Sequence, residues 1–167
     1  MSKAFTRESD DTSPEETPVV RRQQLPPGTK NYITREGADR LRERMEALLA
    51  SKTRGSKAEG PANAEQRKLE VAIHNIQQTL AEVVVAEAPA DREKVGFGAT
   101  VRIRRGDGEE ERYRIVGVEE ANPESGAINW LSPLARVLLS RRAGDRVRFR
   151  AVAGEEELTI LSVEYLS

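Results

Sequence analysis

The sequence contains no cysteine and a single histidine, His74. Disulfide bonds and thiol chemistry are therefore excluded, and a reducing compartment is compatible with the composition. A zinc site is not expected, since zinc sites in proteins are built mainly from cysteine and histidine ligands. His74 lies beside an apolar helical stripe rather than on it, so we expect an ordinary solvated histidine on the outside of a helix.

Aromatic residues, net charge and long apolar runs are scarce as well. Aromatic residues make up 4% of the 167 residues, apolar residues 37% and charged residues 33%, which predicts a modest core. The net charge of −1 gives no overall attraction to nucleic acid. The longest apolar run, residues 80–86, is interrupted by Glu82 and is too short to cross a membrane. With no apolar region typical of a signal peptide, we expect a soluble cytoplasmic protein.

A heptad-like pattern is present over residues 34–87. Apolar residues recur there at alternating spacings of three and four, which indicates two helices that bury one stripe against each other. The stripe comprises Ala38, Leu41, Met45 and Leu48 in the first arm and Leu69, Ile73, Ile76, Leu80 and Val83 in the second. We predict a first helix from the N-cap Thr34 to about Arg54, and a second from near Pro61 to before Pro89. Residues 31–88 then form an antiparallel helical hairpin with a polar tip at about 52–62.

The 30 residues before the hairpin have a different composition. They are rich in serine, threonine, proline and acidic residues, and they hold few large apolar residues. Such a segment buries too little surface to offset its ordering entropy, so we predict a disordered tail. The alternative is a docking motif within the tail, for which Phe5 is the natural anchor.

Residues 89–167 have the pattern of a small α+β domain. Strict alternation over residues 99–104 and a return strand at 112–118 flank a turn at Gly106 and Gly108. Further strands are predicted at residues 127–131, 146–152 and 157–166. Ser132 and Pro133 have the chemistry of an N-cap and a first helical residue, which predicts a short helix over 134–140. The expected fold is therefore five short, mostly antiparallel strands with one short helix, attached to the hairpin.

Several short segments resemble the GreA/GreB family of bacterial transcript cleavage factors, which bind RNA polymerase. The segments are YITREGADRL at 32–41, FGATV at 97–101, YRIVG at 113–117, WLSPLARVLL at 130–139, AGD at 143–145 and VEYL at 163–166. They occur in the family's order and extend over residues 31–167. The 30-residue tail has no counterpart in the two founding members.

The resemblance implies a coiled-coil hairpin followed by an FKBP-like domain. It also implies that the C-terminal domain docks at the rim of the secondary channel of RNA polymerase, while the hairpin enters that channel. The expected docking residues are Ser132, Pro133, Leu134 and Arg136. The chain itself would then be a monomer and not an enzyme, and it would meet nucleic acid only indirectly, within the elongation complex.

The resemblance also gives the hairpin tip a chemical meaning. In the family, two acidic residues in the pattern D-x-x-E-N-A-E help to hold a catalytic Mg²⁺, because this ion prefers carboxylate oxygens. The tip residues of interest here are Lys52, Arg54, Lys57, Glu59, Asn63 and Glu65. Glu59 falls on the first acidic position, but Ala62 falls on the second. We therefore expect no cofactor bound by the chain alone, and Mg²⁺ only within the polymerase complex.

Three functions are compatible with these features. The favoured one is a polymerase-binding regulator without strong stimulation of transcript cleavage, since the three basic tip residues oppose cation binding. The first alternative is an active cleavage factor that uses Glu59; the second is an adaptor that has lost the polymerase. More ordinary interpretations also stand: Glu59 as an exposed loop residue, the tip cations as a solvated surface, and Trp130 as a packing residue.

Overall fold

The computed structural model describes residues 25–55 and 62–166. Two helices of 21 residues each, α1 (Arg35–Gly55) and α2 (Ala62–Glu82), form the hairpin. At about 1.5 Å per residue each arm is about 32 Å long. Thr34 begins α1 as predicted, because its Oγ1 accepts a hydrogen bond of 3.0 Å from the backbone N–H of Gly37.

The predicted apolar stripe joins the two arms. Ala38, Ile73 and Ile76 are buried, with 1%, 6% and 9% of their surfaces exposed. The remaining residues of the stripe on α1 and α2 are half-buried, namely Leu41, Met45, Leu48, Leu69 and Leu80. His74 is exposed, as predicted. The two helices therefore pack along the predicted stripe but bury most of its residues only partly, as expected when only two helices are in contact.

The second helix, which was predicted to end before Pro89, ends earlier than the helical stripe indicated, at Glu82. Strand β2 (Val83–Val85) follows α2 directly and pairs in parallel with β1 (Asn31–Ile33), which precedes α1. Three consecutive β-branched residues favour strand over helix, and β1 supplies the partner strand. The N–H of Ala86 continues this pairing with a 2.9 Å hydrogen bond to the carbonyl of Ile33. The two ends of the hairpin are thus tied together at its base.

The five predicted strands form one sheet. They are β3 (Ala99–Arg104), β4 (Glu110–Val116), β5 (Ala127–Asn129), β6 (Arg146–Ala151) and β7 (Gly154–Tyr165). Their order is β5-β4-β3-β7-β6, and only the β4–β5 pair is parallel. The α+β class is confirmed. Strand β4 begins and ends two residues earlier than predicted, because residues 118–120 form a 3₁₀ turn. A second 3₁₀ turn at residues 123–125 lies within a turn that Asn122 and Gly126 indicate in the sequence, and β5 starts at Ala127 as predicted but ends two residues earlier.

Helix α3 (Pro133–Leu138) packs on β6 and closes the core of the sheet. It ends two residues before the predicted Ser140, because Leu139 leaves the helical conformation with a ψ of 140° and Ser140 follows with a positive φ of 66°. The fully buried core residues are Ala99, Val101, Ile103, Ile115, Ala135, Leu138, Leu158 and Ile160. No helix in residues 25–55 or 62–166 is long and apolar enough to span a membrane.

Candidate functional site

Two separate surfaces hold the residues that the sequence singled out. One is the hairpin tip, formed by the end of α1 and the start of α2; the other is α3 on the sheet. Lys57 and Glu59 lie outside the described residues. Asn63 lies in the first turn of α2, and Glu65 is exposed in the same turn. A carboxylate at a helix N-terminus is favoured by the helix dipole, so Glu65 has a structural reason to be there.

The basic residues of the described part of the tip have partners within the hairpin. Lys52 Nζ lies 2.9 Å from Glu70 Oε1, which joins α1 to α2. Arg54 Nε donates a 3.3 Å hydrogen bond to the carbonyl oxygen of Ala50, one turn back in α1. Both cations therefore contribute to the hairpin, the first by an interhelical ion pair and the second by a hydrogen bond within α1.

The second surface is built on the short helix α3. Ser132 caps this helix, because its Oγ accepts a 3.2 Å hydrogen bond from the N–H of Ala135, and Pro133 occupies the first turn. Leu134 is half-buried and packs against the core, while Pro133 and Arg136 are exposed. Of the four expected docking residues, Pro133 and Arg136 are therefore the ones that α3 presents to solvent.

A third region, the joint between hairpin and sheet, was missed by the sequence analysis. The ring of Tyr32 in β1 packs edge-on against Trp130, with centroids 5.4 Å apart, and lies 6.0 Å from the ring of Phe97. Trp130 thus acts in packing, as the sequence predicted. Its Nε1 is buried without a hydrogen-bond partner in the described part of the chain. Three of the few aromatic residues in the chain are therefore concentrated at this joint.

A carboxylate fastens the same joint. Glu120 accepts hydrogen bonds from the N–H of Thr34 at 2.8 Å and from the N–H of Gly117 at 3.2 Å, and also binds the hydroxyl of Thr34. One side chain therefore connects the start of α1 to the end of β4. A second link is the ion pair between Glu36 of α1 and Arg114 of β4.

The backbone at this joint is also closely packed. A Cβ at Gly117 would overlap the carbonyl oxygen of Tyr32, and a Cβ at Gly37 would overlap the carboxylate of Glu120. Glycine at both positions therefore permits the close approach of β1 and α1 to the sheet. The signal of this contact in the sequence is Gly117 itself, a glycine within the predicted strand at 112–118.

One further charged cluster lies on the sheet. Arg105 Nε donates to Glu111 at 2.6 Å, and the guanidinium also binds Glu156. These two hydrogen bonds raise the pKa of Arg105, Glu156 contributing most. Burial, followed by its hydrogen bond to Glu111, raises the pKa of Tyr113. All these groups are satisfied within the cluster, so it fixes the β3–β4 turn against β7 rather than offering a reactive group.

Comparison with known proteins matches the chain to one family. Residues 89–165 match the family model described as "Transcription elongation factor, GreA/GreB, C-term". The chain is 35% identical over 157 residues to transcription elongation factor GreB of Neisseria meningitidis serogroup A, covering 83% of this chain and 96% of the relative. It is also 35% identical over 150 residues to transcription elongation factor GreA of Chloroflexus aurantiacus, covering 79% and 96%.

A solved structure is similar at lower identity. The crystal structure of GreA factor homolog 1 of Thermus thermophilus is 21% identical and covers 81% of this chain and 99% of that chain, with a TM-score of 0.40. A TM-score this low does not place individual residues. The matches to GreB and GreA, in contrast, cover nearly the whole length of those relatives, so they include the hairpin as well as the sheet.

Proposed function

Because the chain belongs to the GreA/GreB family of transcription elongation factors, we propose that it binds RNA polymerase and regulates elongation without strong stimulation of transcript cleavage. The C-terminal domain docks at the rim of the secondary channel, and the hairpin enters the channel. The chain acts as a monomer in the cytoplasm, is not itself an enzyme, and meets Mg²⁺ and nucleic acid only in the polymerase complex.

The observation that carries the proposal is the residue at position 62. This alanine opens α2, at the place where the family pattern has its second acidic residue. A methyl group supplies no oxygen ligand, and Mg²⁺ is held in most sites by more than one oxygen donor. Of the acidic pair in the family pattern only Glu59 is left, in a tip that also holds three basic residues. We therefore expect this tip to hold the catalytic Mg²⁺ poorly.

The docking half of the proposal is supported by α3 and the joint. Capping by Ser132 and packing by Leu134 fix α3, so that Pro133 and Arg136 form a rigid exposed surface. The joint through Glu120 and Tyr32 fixes the hairpin to the same domain. A docked sheet domain would therefore also set the direction of the hairpin.

A binding assay with core RNA polymerase tests the docking. We expect full-length protein to be retained by immobilised polymerase at physiological salt, and Arg136→Glu to reduce that retention severalfold. Arg102→Glu is the matched control, because Arg102 is exposed on β3 and alternates with Val101 and Ile103, so it lies on the face of the sheet opposite the core. No binding of the wild-type chain would favour the adaptor alternative and would reject the proposal.

A backtracked elongation complex tests the cleavage half. We expect the wild-type protein to release few short 3′ RNA fragments, and Ala62→Glu to increase their yield by restoring the second carboxylate. Ala62→Gln is the matched control, since it adds similar bulk without the charge. Strong cleavage by the wild type that disappears in Glu59→Ala would show instead that the protein is an active cleavage factor.

A further inference from the structure

A groove at the base of the hairpin has no role in the function proposed above. It has a volume of about 520 Å³ and lies between α1 and the residues around the two 3₁₀ turns. We call it the base groove and define it by Ile33, Arg40, Leu41, Arg44, Ala121 and Ser125. Its floor is partly apolar, and its α1 wall holds two arginines one helical turn apart.

The charges of the base groove are not balanced. Arg40 and Arg44 are both exposed, and neither forms an ion pair within residues 25–55 and 62–166. Like charges at positions i and i+4 of a helix repel each other. Of the groups opposite, Glu120 is engaged by Thr34 and Gly117, and Arg114 by Glu36, which leaves Glu119 as the only other charged side chain of the lining.

Arg114 is a third arginine in the lining of the groove. Its Nε is buried and lacks a hydrogen-bond partner within the described part of the chain, although its terminal nitrogen binds Glu36. Because this Nε is inaccessible, Arg40 and Arg44 are the groups that an occupant of the groove contacts. An anionic occupant with several oxygens therefore fits the base groove better than a neutral or cationic one.

The chain itself contains a segment of this chemistry. Residues 8–16 hold five carboxylates and no lysine or arginine, namely Glu8, Asp10, Asp11, Glu15 and Glu16. The described chain begins at Leu25, and β1, which starts six residues later, leads to Ile33 in the groove. The nine residue steps from Glu16 to Leu25 span up to about 30 Å when extended, which is about twice the length of α1 from its start to Arg44.

We propose that the acidic segment 8–16 docks in the base groove of its own chain, where its carboxylates pair with Arg40 and Arg44. The segment would neutralise the two arginines in the free protein and would be displaced by a stronger anionic competitor. This inference concerns the isolated chain, so it stands or falls independently of binding to polymerase.

Paramagnetic relaxation in the full-length protein tests the docking. Because the chain has no cysteine, Ser13→Cys provides a single thiol for a spin label within the acidic segment. At low salt we expect a severalfold loss of amide signal intensity at Gly37, Arg40, Ala121 and Ser125, relative to the reduced label. The loss should disappear in about 1 M salt, where the Debye length is about 3 Å.

Charge reversal provides the controls. Arg40→Glu combined with Arg44→Glu should restore the signals around the groove. Arg35→Glu combined with Arg92→Glu is the matched control, because it makes the same change of charge at a neighbouring cavity of about 430 Å³ and should leave the signal loss intact. Glu15→Lys combined with Glu16→Lys should restore the signals while leaving every groove residue unchanged, so misfolding of the groove cannot explain that result.

Three results would overturn the proposal. The first is signal loss that persists in the Arg40→Glu, Arg44→Glu variant. The second is a wild-type chain with no loss at the groove, or with equal loss over the whole surface. The third is signal loss between two different chains. It is measured in a mixture of spin-labelled chains that carry no isotope and isotope-enriched chains that carry no spin label, and it would assign the contact to a second copy.

Discussion

The sheet domain and the hairpin bury their apolar residues to different extents. Ile103, Leu158 and Ile160 in the sheet are completely inaccessible to solvent, whereas Leu41, Met45 and Leu48 on α1 are only half-buried. A sheet covered by α3 encloses side chains from every direction, while two helices alone enclose them from one. The hairpin therefore depends on its attachment to the sheet domain more than the sheet depends on the hairpin.

The largest expected difference concerns equivalent deletions in the two cores. We expect Ile160→Ala to lower the free energy of unfolding by about 3–5 kcal/mol, and Ile76→Ala by about 2 kcal/mol, because Ile76 is buried between only two helices, which can relax around the cavity. Denaturant unfolding followed by circular dichroism measures both changes. Equal losses would show that the seam of the hairpin is packed as tightly as the core of the sheet.

The joint between the two regions gives the next largest effect. Gly117→Ala places a methyl group against the carbonyl of Tyr32, and we expect it to cost about 1–3 kcal/mol, as other overpacked sites do. Hydrogen exchange should then be faster in β1 and in the first turns of α1, while the core of the sheet stays protected. This pattern would show that the hairpin is anchored from the sheet side.

Gly106→Ala is the matched control for that substitution. A Cβ at Gly106 would meet its nearest neighbour, the carbonyl oxygen of Glu157, at an ordinary distance of 3.9 Å. We expect it to change stability by much less than Gly117→Ala. If the two substitutions had the same effect, the close approach of β1 to Gly117 would not be important for stability.

The sequence predicts the periodic parts of this molecule and misses the parts set by tertiary contact. Alternation over residues 99–104 and the heptad stripe gave the strand and the helices, because each pattern is local. Strand β2 was missed, since Val83 continues the helical stripe and Val83–Val85 become a strand only when β1 lies beside them. The hydrogen bonds between Glu120 and Thr34 were missed for the same reason, because the two residues are 86 positions apart in sequence.

The same distinction between local and tertiary features applies to the candidate site. The capping roles of Ser132 and Pro133 were predictable, because a helix cap depends on adjacent residues. The half-burial of Leu134 was not, because it depends on how α3 lies on the sheet. At the tip, the interhelical partner of Lys52 was also not predictable, since Glu70 faces it only when the register of the two arms is fixed. The role of Glu59 stays a prediction.

The ion pairs of the two regions give the smallest expected effect. Lys52 and Glu70 are 40% and 52% exposed, and exposed pairs contribute about 0.2–1 kcal/mol, so we expect Lys52→Ala to cost less than 1 kcal/mol. Arg105 is only 22% exposed and binds two carboxylates, so Arg105→Ala should cost more. Denaturant unfolding at low and high salt measures both, and salt should reduce only the smaller effect. A larger loss at Lys52 than at Arg105 would mean that the tip, despite its exposure, limits the stability of the hairpin.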